Sequence, residues 1–165
     1  RLEEQDITEV VREACDFMKG DHRRHGVETS LRVDDDLPSV RVDEAQIKQA
    51  LFNLMRNARE AMPGGGDIAV EVRVADGGGI EIAVDDEGPG IDRETRERLF
   101  EPFFTTKSHG TGLGLAITRQ IVDAHGGTIA ATEREPRGTR FVIHLPAATT
   151  PMTSTRSAET SAEVH

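Results

Sequence analysis

The 165-residue chain is 36% hydrophobic and 30% charged, a composition that supports one globular domain with a real core. Its formal net charge of -10 argues against a nucleic-acid surface or an anionic-membrane surface, because phosphate neutralisation needs clustered Lys and Arg. A single cysteine, Cys15, excludes an internal disulfide framework and a cysteine-ligated zinc site.

No apolar run approaches the roughly 20 residues of a membrane helix, so no direct membrane contact is expected. The chain shows no signal peptide and does not begin with Met, which points to a piece of a larger protein in a reduced, cytoplasmic setting.

Leu2 to Ile7 suits a short edge strand, and Thr8 to Lys19 shows helix period through Val10, Val11, Ala14, Cys15, Phe17 and Met18. Gly20 is the expected stop, which places His22 and His25 in a polar connector. Val27 to Val33 alternates as a strand does, and Val40 to Val42 reads as a second short one. The acidic run Asp34-Asp35-Asp36 between them is read as a solvated turn, since three consecutive carboxylates point in different directions.

Asp43 and Gln46 form a capping-box pattern that opens a helix to about Met62. Ile47, Leu51, Leu54, Ala58 and Ala61 give that helix one buried stripe. Pro63-Gly64-Gly65-Gly66 ends it. Ile68 to Val74 and Ile80 to Val84 then form a hairpin around Asp76-Gly77-Gly78-Gly79.

A second periodic helix runs through Ala116, Ile117, Gln120, Ile121 and Ala124 to Gly126-Gly127. The last hairpin pairs Thr128 to Glu133 with Thr139 to Leu145. One domain is therefore expected over 1–147, with a disordered tail or linker over 148–165. Hairpins lying between helices favour an α+β fold, a mixed sheet covered on one face by helices, over a doubly wound one.

Three stretches carry chemistry. Asn53 and Asn57 lie one helical turn apart, so their amide oxygens project together and could help hold Mg²⁺, or could be surface amides. Asp86-Glu87-Gly88-Pro89-Gly90 follows a strand; a carboxylate there could accept a hydrogen bond from an exocyclic amine, and glycines would let a ring approach. Gly110-Thr111-Gly112-Leu113-Gly114-Leu115 leads into a helix whose free amides favour an anion. It is neither a Rossmann fingerprint nor a P-loop. Lys107 could add a phosphate contact or be simply exposed.

NLMRNAREAM, VDDEGPGI, LFEPFFTTK and GTGLGLAITRQIV, in this order, resemble the asparagine, first glycine, phenylalanine and second glycine boxes of sensor histidine kinases. The resemblance covers roughly residues 7–146 and has a nitrogen-regulator or hybrid-sensor flavour. It implies the two-layer α/β sandwich shared with gyrase, mismatch-repair ATPases and heat-shock chaperones, with a mostly antiparallel sheet under about three helices. It also implies ATP and Mg²⁺ as cofactors, with Asn57, supported by Asn53, on the metal.

By the same resemblance Asp86 would read the adenine amine, and Gly88, Gly90 and Ile91 would shape the base pocket. Phe100 and Phe103 would belong to a mobile lid over about 88–112. Lys107 and the run Gly110, Thr111, Gly112, Leu113, Gly114 and Leu115 would face phosphate, and Thr139 would lie near the adenine. The implied partners are a histidine-bearing dimerisation domain of a homodimeric parent and a downstream response regulator. The piece itself is expected to be monomeric.

Two departures qualify the resemblance. The hydrolytic relatives carry a glutamate where this chain has Asn53, and an amide cannot act as a general base. The family's acceptor histidine is followed directly by an acid, and none of His22, His25, His109, His125, His144 or His165 has that neighbour. No catalytic residue is therefore assigned, and the chain is expected to bind ATP without phosphorylating itself. An ATP-hydrolysing relative, an anti-sigma-type serine kinase and a non-catalytic nucleotide-sensing or docking module remain alternatives.

Overall fold

The computed structural model describes residues 1–104 and 113–148. In chain order the elements are β1 (Glu3–Gln5), α1 (Ile7–Arg24), β2 (Val27–Val33), β3 (Val40–Val42), α2 (Glu44–Glu60), β4 (Gly66–Val74) and β5 (Ile80–Asp85). They continue with α3 (Arg93–Arg98), α4 (Gly114–Ala124), β6 (Thr128–Glu133) and β7 (Thr139–Leu145). A five-stranded sheet has the order β2-β4-β5-β7-β6, antiparallel except where β2 runs parallel to β4. β1 and β3 make a separate antiparallel pair.

Period-two patterning decides which face of the sheet is covered. Ile68, Val70 and Val72 of β4, Ile80, Ile82 and Val84 of β5, and Phe141, Ile143 and Leu145 of β7 are all buried. They face α1, α2 and α4, which pack side by side and contribute Val11, Ile47, Leu51, Leu54 and Val122. Each fully buried side chain of this size contributes about 1.5–3 kcal/mol. The opposite face carries cross-strand charge instead, such as Arg73 paired with Glu81 at 3.0 Å. The result is the expected two-layer α+β sandwich, with α1, α2 and α4 on one face.

Three helices start on an aspartate cap: Asp6 accepts from the Thr8 amide, Asp43 from Gln46 and Asp92 from Thr95. His125 couples two of the helices that frame the site. Its Nδ1–H donates to the Ile121 carbonyl at 2.7 Å, and its Nε2 accepts the Asp43 amide at 3.0 Å. The end of α4 is thus pinned to the start of α2 by one neutral imidazole.

The first helix is longer than its sequence pattern suggests. Gly20 does not end α1; the helix continues to Arg24 because its next turn buries His22 completely, with Nδ1 2.8 Å from Thr29 Oγ1. Tertiary burial here outweighs the roughly 1 kcal/mol that a mid-helix glycine costs. Gly26 is the actual stop, in the left-handed region at φ +73° with its amide on Arg23 O. His22 therefore belongs to the core and not to a polar connector.

α2 ends at Glu60, two residues short of expectation. α3 is an addition: a short helix inside the segment read as lid, opened by the Asp92 cap. At the far end Ala148 N donates to Ser39 O at 2.8 Å, so the chain stays tied to the β1–β3 pair just past the last strand. Most of the expected tail, from residue 149, lies outside the described residues. No helix among the described residues is long and apolar enough to cross a membrane.

Candidate functional site

β5 ends at Asp85, and the chain turns at Asp86 against the end of α2. The Asp86 amide donates to Thr139 O at 3.0 Å, and its Oδ1 accepts the Gly88 amide at 2.8 Å. This side-chain turn holds a carboxylate that is only 2% exposed. Burial pushes its carboxyl above the usual aspartate range, while the Gly88 and Thr139 backbone bonds and Arg134 pull the other way.

Glycine is required at position 88 by close approach. A Cβ there would lie 2.9 Å from both Ala61 O and Asp86 Oδ1. Glu87 completes the attachment: its carboxylate accepts the Asp67 amide at 2.8 Å, and its own amide points at Met62 Sδ at 3.3 Å. The acidic loop therefore lies flush on the last turn of α2.

On α2, Asn53 and Asn57 are both half-buried, as one-turn spacing requires. Asn53 Nδ2 donates to Gly114 O and to Thr118 Oγ1, each at 3.2 Å, which joins α2 to the first turn of α4. Thr118 is fully buried and donates in turn to Gly114 O at 2.8 Å. Unlike the other three helices, α4 has no side-chain cap at Leu113.

The remaining candidates divide by position. Ile91 is half-buried against the core, and Thr139 is 4% exposed beside Asp86. Phe100 packs edge-on to Phe141, centroids 6.3 Å apart, so it is rooted in the core. Phe103 is the opposite: 75% exposed, with φ +68°, a backbone region that bulky side chains avoid. Leu113 and Leu115 are half-buried, whereas Gly114 is exposed at the start of α4. Lys107, Gly110, Thr111 and Gly112 lie outside the described residues.

The structure thus gathers Asp86, Gly88 and Thr139 at the last turn of α2 and joins Asn53 of the same helix to Gly114. Gly90 continues the acidic loop at φ +82°. Several participants carry no sequence signal. Thr118 reads as an ordinary helical threonine, and Arg137, which donates to Gly88 O at 3.0 Å, reads as a turn residue. Arg140, in a bidentate pair with Asp85 at 2.8 and 2.8 Å, becomes visible only through the β5–β7 register.

A family described as histidine kinase-, DNA gyrase B-, and HSP90-like ATPase matches residues 42–149. Sporulation kinase E of Bacillus subtilis (strain 168) is 38% identical over 144 residues, covering 87% of this chain and 20% of its own length. The chain thus spans about a fifth of that curated relative.

Among solved structures, the catalytic domain of histidine kinase ThkA has TM-score 0.80 at 35% identity, covering 88% of this chain and 95% of that one. ThkA has also been solved with the response regulator protein TrrA, with TM-score 0.77 at 32% identity, covering 89% of this chain and 42% of that one. Full-length ShkA in complex with AMPPNP has TM-score 0.79 at 30% identity, covering 92% of this chain and 32% of that one. The chain belongs to the histidine kinase-, DNA gyrase B-, and HSP90-like ATPase family, and within it to the catalytic, ATP-binding domains of sensor histidine kinases.

Proposed function

We propose that this chain binds Mg²⁺-ATP and presents the γ-phosphate to a histidine on a separate dimerisation domain of its parent protein. The observation that carries this reading is the buried Asp86 carboxylate, held by its own turn against the end of the asparagine-bearing helix. Oδ1 is committed to the Gly88 amide, so the second oxygen is the one that would accept the adenine amine. Burial makes that single hydrogen bond discriminating, because an unmatched partner would leave a charge unsatisfied.

The metal reading rests on the donor set. Among the described residues no group of three His, Cys, Asp or Glu side chains assembles. Asn57, supported by Asn53, offers neutral amide oxygens, which suits a cation that keeps phosphate and water as its main ligands. Magnesium, when bound, would supply charge neutralisation on the phosphates. The residues themselves would position the nucleotide: the base at Asp86, the phosphates at Gly110–Gly114 and Lys107, with Phe100, Phe103 and Ile91 bordering the cleft.

Transfer is favoured over hydrolysis because Asn53 cannot activate water as a carboxylate would. The described histidines are also engaged elsewhere. His22 is buried in α1, His25 bonds Asp21 O and Arg59, His125 spans α2 and α4, and His144 lies 3.1 Å from Gly78 O. The acceptor would therefore come from the parent's dimerisation domain, and a response regulator would take the phosphate next, a partner of the kind present in the complex of ThkA with TrrA. By this reading the domain works in the cytoplasm, monomeric alone and paired through the parent.

Calorimetry with AMPPNP, with and without Mg²⁺, tests the reading. Binding that Mg²⁺ strengthens and Asp86→Ala removes supports it. So does labelled phosphate passing to a separately supplied dimerisation domain but not to the chain alone. Unchanged AMPPNP affinity in Asp86→Ala would sink it.

A further inference from the structure

The loop that carries Asp86 is held from behind by the turn between β6 and β7. Asp85 and Asp86 are consecutive at a strand end, so their side chains point to opposite faces of the sheet. Asp86 points toward the helices. Asp85 points to the open face and is only 7% exposed, because Arg140, its register partner on β7, grips both carboxylate oxygens at 2.8 Å. Arg134 approaches the same carboxylate at 3.7 Å.

Further along, Arg137 Nε donates to Gly88 O at 3.0 Å, and Thr139 O receives the Asp86 amide. At Gly138, φ +114°, a Cβ would overlap the Asp86 carbonyl. The turn and the first residues of β7 thus hold the side chain before Asp86, the amide of Asp86 and the carbonyl two residues after it.

We propose that Arg137 and the Asp85–Arg140 pair are positioning residues that fix the Asp86 carboxylate for adenine and against guanine. This rests on the nucleotide reading above. An N–H···O bond is satisfied over only a few tenths of an ångström and weakens steeply outside that window. Adenine offers an amine where guanine offers a carbonyl, so a carboxylate held still attracts one and repels the other. A carboxylate free to move could retreat from the carbonyl and would discriminate less. A bidentate arginine–carboxylate pair supplies directional rigidity, whereas a general stabilising role would not alter base preference.

The test compares AMPPNP with GMPPNP binding by calorimetry in the full 165-residue chain, with folded fraction checked by thermal melting. Arg137→Ala should weaken AMPPNP about tenfold with little change for GMPPNP, contracting the ratio between the two. Arg137→Lys should restore most of it. Asp85→Asn, which keeps the side-chain volume while removing the charge, should contract the ratio independently and guards against misfolding of the first variant. An unchanged ratio in both Arg137→Ala and Asp85→Asn, with AMPPNP bound tightly throughout, would overturn the proposal and leave the nucleotide site standing. Failure of the unsubstituted chain to bind AMPPNP would overturn both.

Discussion

The side-chain amide of Asn53 reaches Thr118 Oγ1 across sixty-five positions of sequence, at 3.2 Å. The same Nδ2 also reaches Gly114 O at 3.2 Å, so a residue that the motif marks for metal also fixes where α4 begins. With Nδ2 turned toward α4, only Oδ1 remains to meet a cation.

Replacing Asn53 with alanine should therefore cost about 1 kcal/mol in chemical denaturation as well as lower Mg²⁺-dependent affinity. Asn53→Asp should be worse, since a carboxylate oxygen would face the Gly114 carbonyl. Denaturant midpoints for the two variants decide it, and equal midpoints would contradict the geometry.

Nucleotide affinity should fall on acidification at a higher pH than an ordinary aspartate would dictate. In the proposed site Asp86 would have to be ionised to accept the amine, and burial raises its carboxyl. Its proton therefore goes on earlier as pH falls, and binding is lost through that raised value. The same shift makes the ionised, empty site a destabilising feature, so the Asp86 contribution to stability worsens as pH rises through that window. Calorimetric titrations of AMPPNP from neutral pH downward read the first effect.

Gly138→Ala should destabilise the chain by about 2–3 kcal/mol or more, since it combines a positive-φ backbone with overlap against the Asp86 carbonyl. Gly20→Ala is the contrasting control. Nothing lies within 4 Å of a Cβ there, and the residue sits inside α1, so a gain of up to about 1 kcal/mol is expected. Thermal melts of the pair separate conformational necessity from helix propensity.

His22 should make the fold acid-sensitive. Burial holds its imidazole below the ordinary histidine value, and neighbouring Arg59 and His25 push the same way while Asp21 opposes them. The unfolded chain then binds the proton first, so stability present at neutral pH is lost as pH falls below the usual histidine value. His22→Gln should flatten the slope of stability against pH between about 7 and 5. An unaltered slope would assign the acid sensitivity elsewhere.

Cys15 should resist alkylation in the native state. Burial, assisted by Asp16, pushes its thiol up to about 11, and the side chain is only 6% exposed. Iodoacetamide labelling followed by mass spectrometry should show modification only above the denaturation midpoint.

The chemistry-bearing residues were legible wherever one short stretch contains a whole device. Asp86 with Gly88 is a self-contained turn, and Asn53 with Asn57 needs only helical spacing, so their placement is local, whereas the roles proposed for them rest on the family resemblance. Phe100 and Phe103 looked equivalent because both are exposed-or-buried apolar residues in one motif. Packing against Phe141 separates them, and that contact spans distant parts of the chain.

Gly20 misled for a related reason: local propensity is weak beside the burial of His22 one turn later. The sequence by itself determined the alternation of the strands, the Asp43 cap, the two periodic helices α2 and α4 and the place of Asp86 in a glycine turn at a strand end, because each is specified by neighbours within a few residues. Only the tertiary structure decided that Arg137 and Arg140 hold that carboxylate's loop, that Thr118 receives Asn53, and that His125 pins α4 to α2. Those contacts depend on the register of β5 against β7 and the packing of three helices, and no local pattern encodes a distance across the fold.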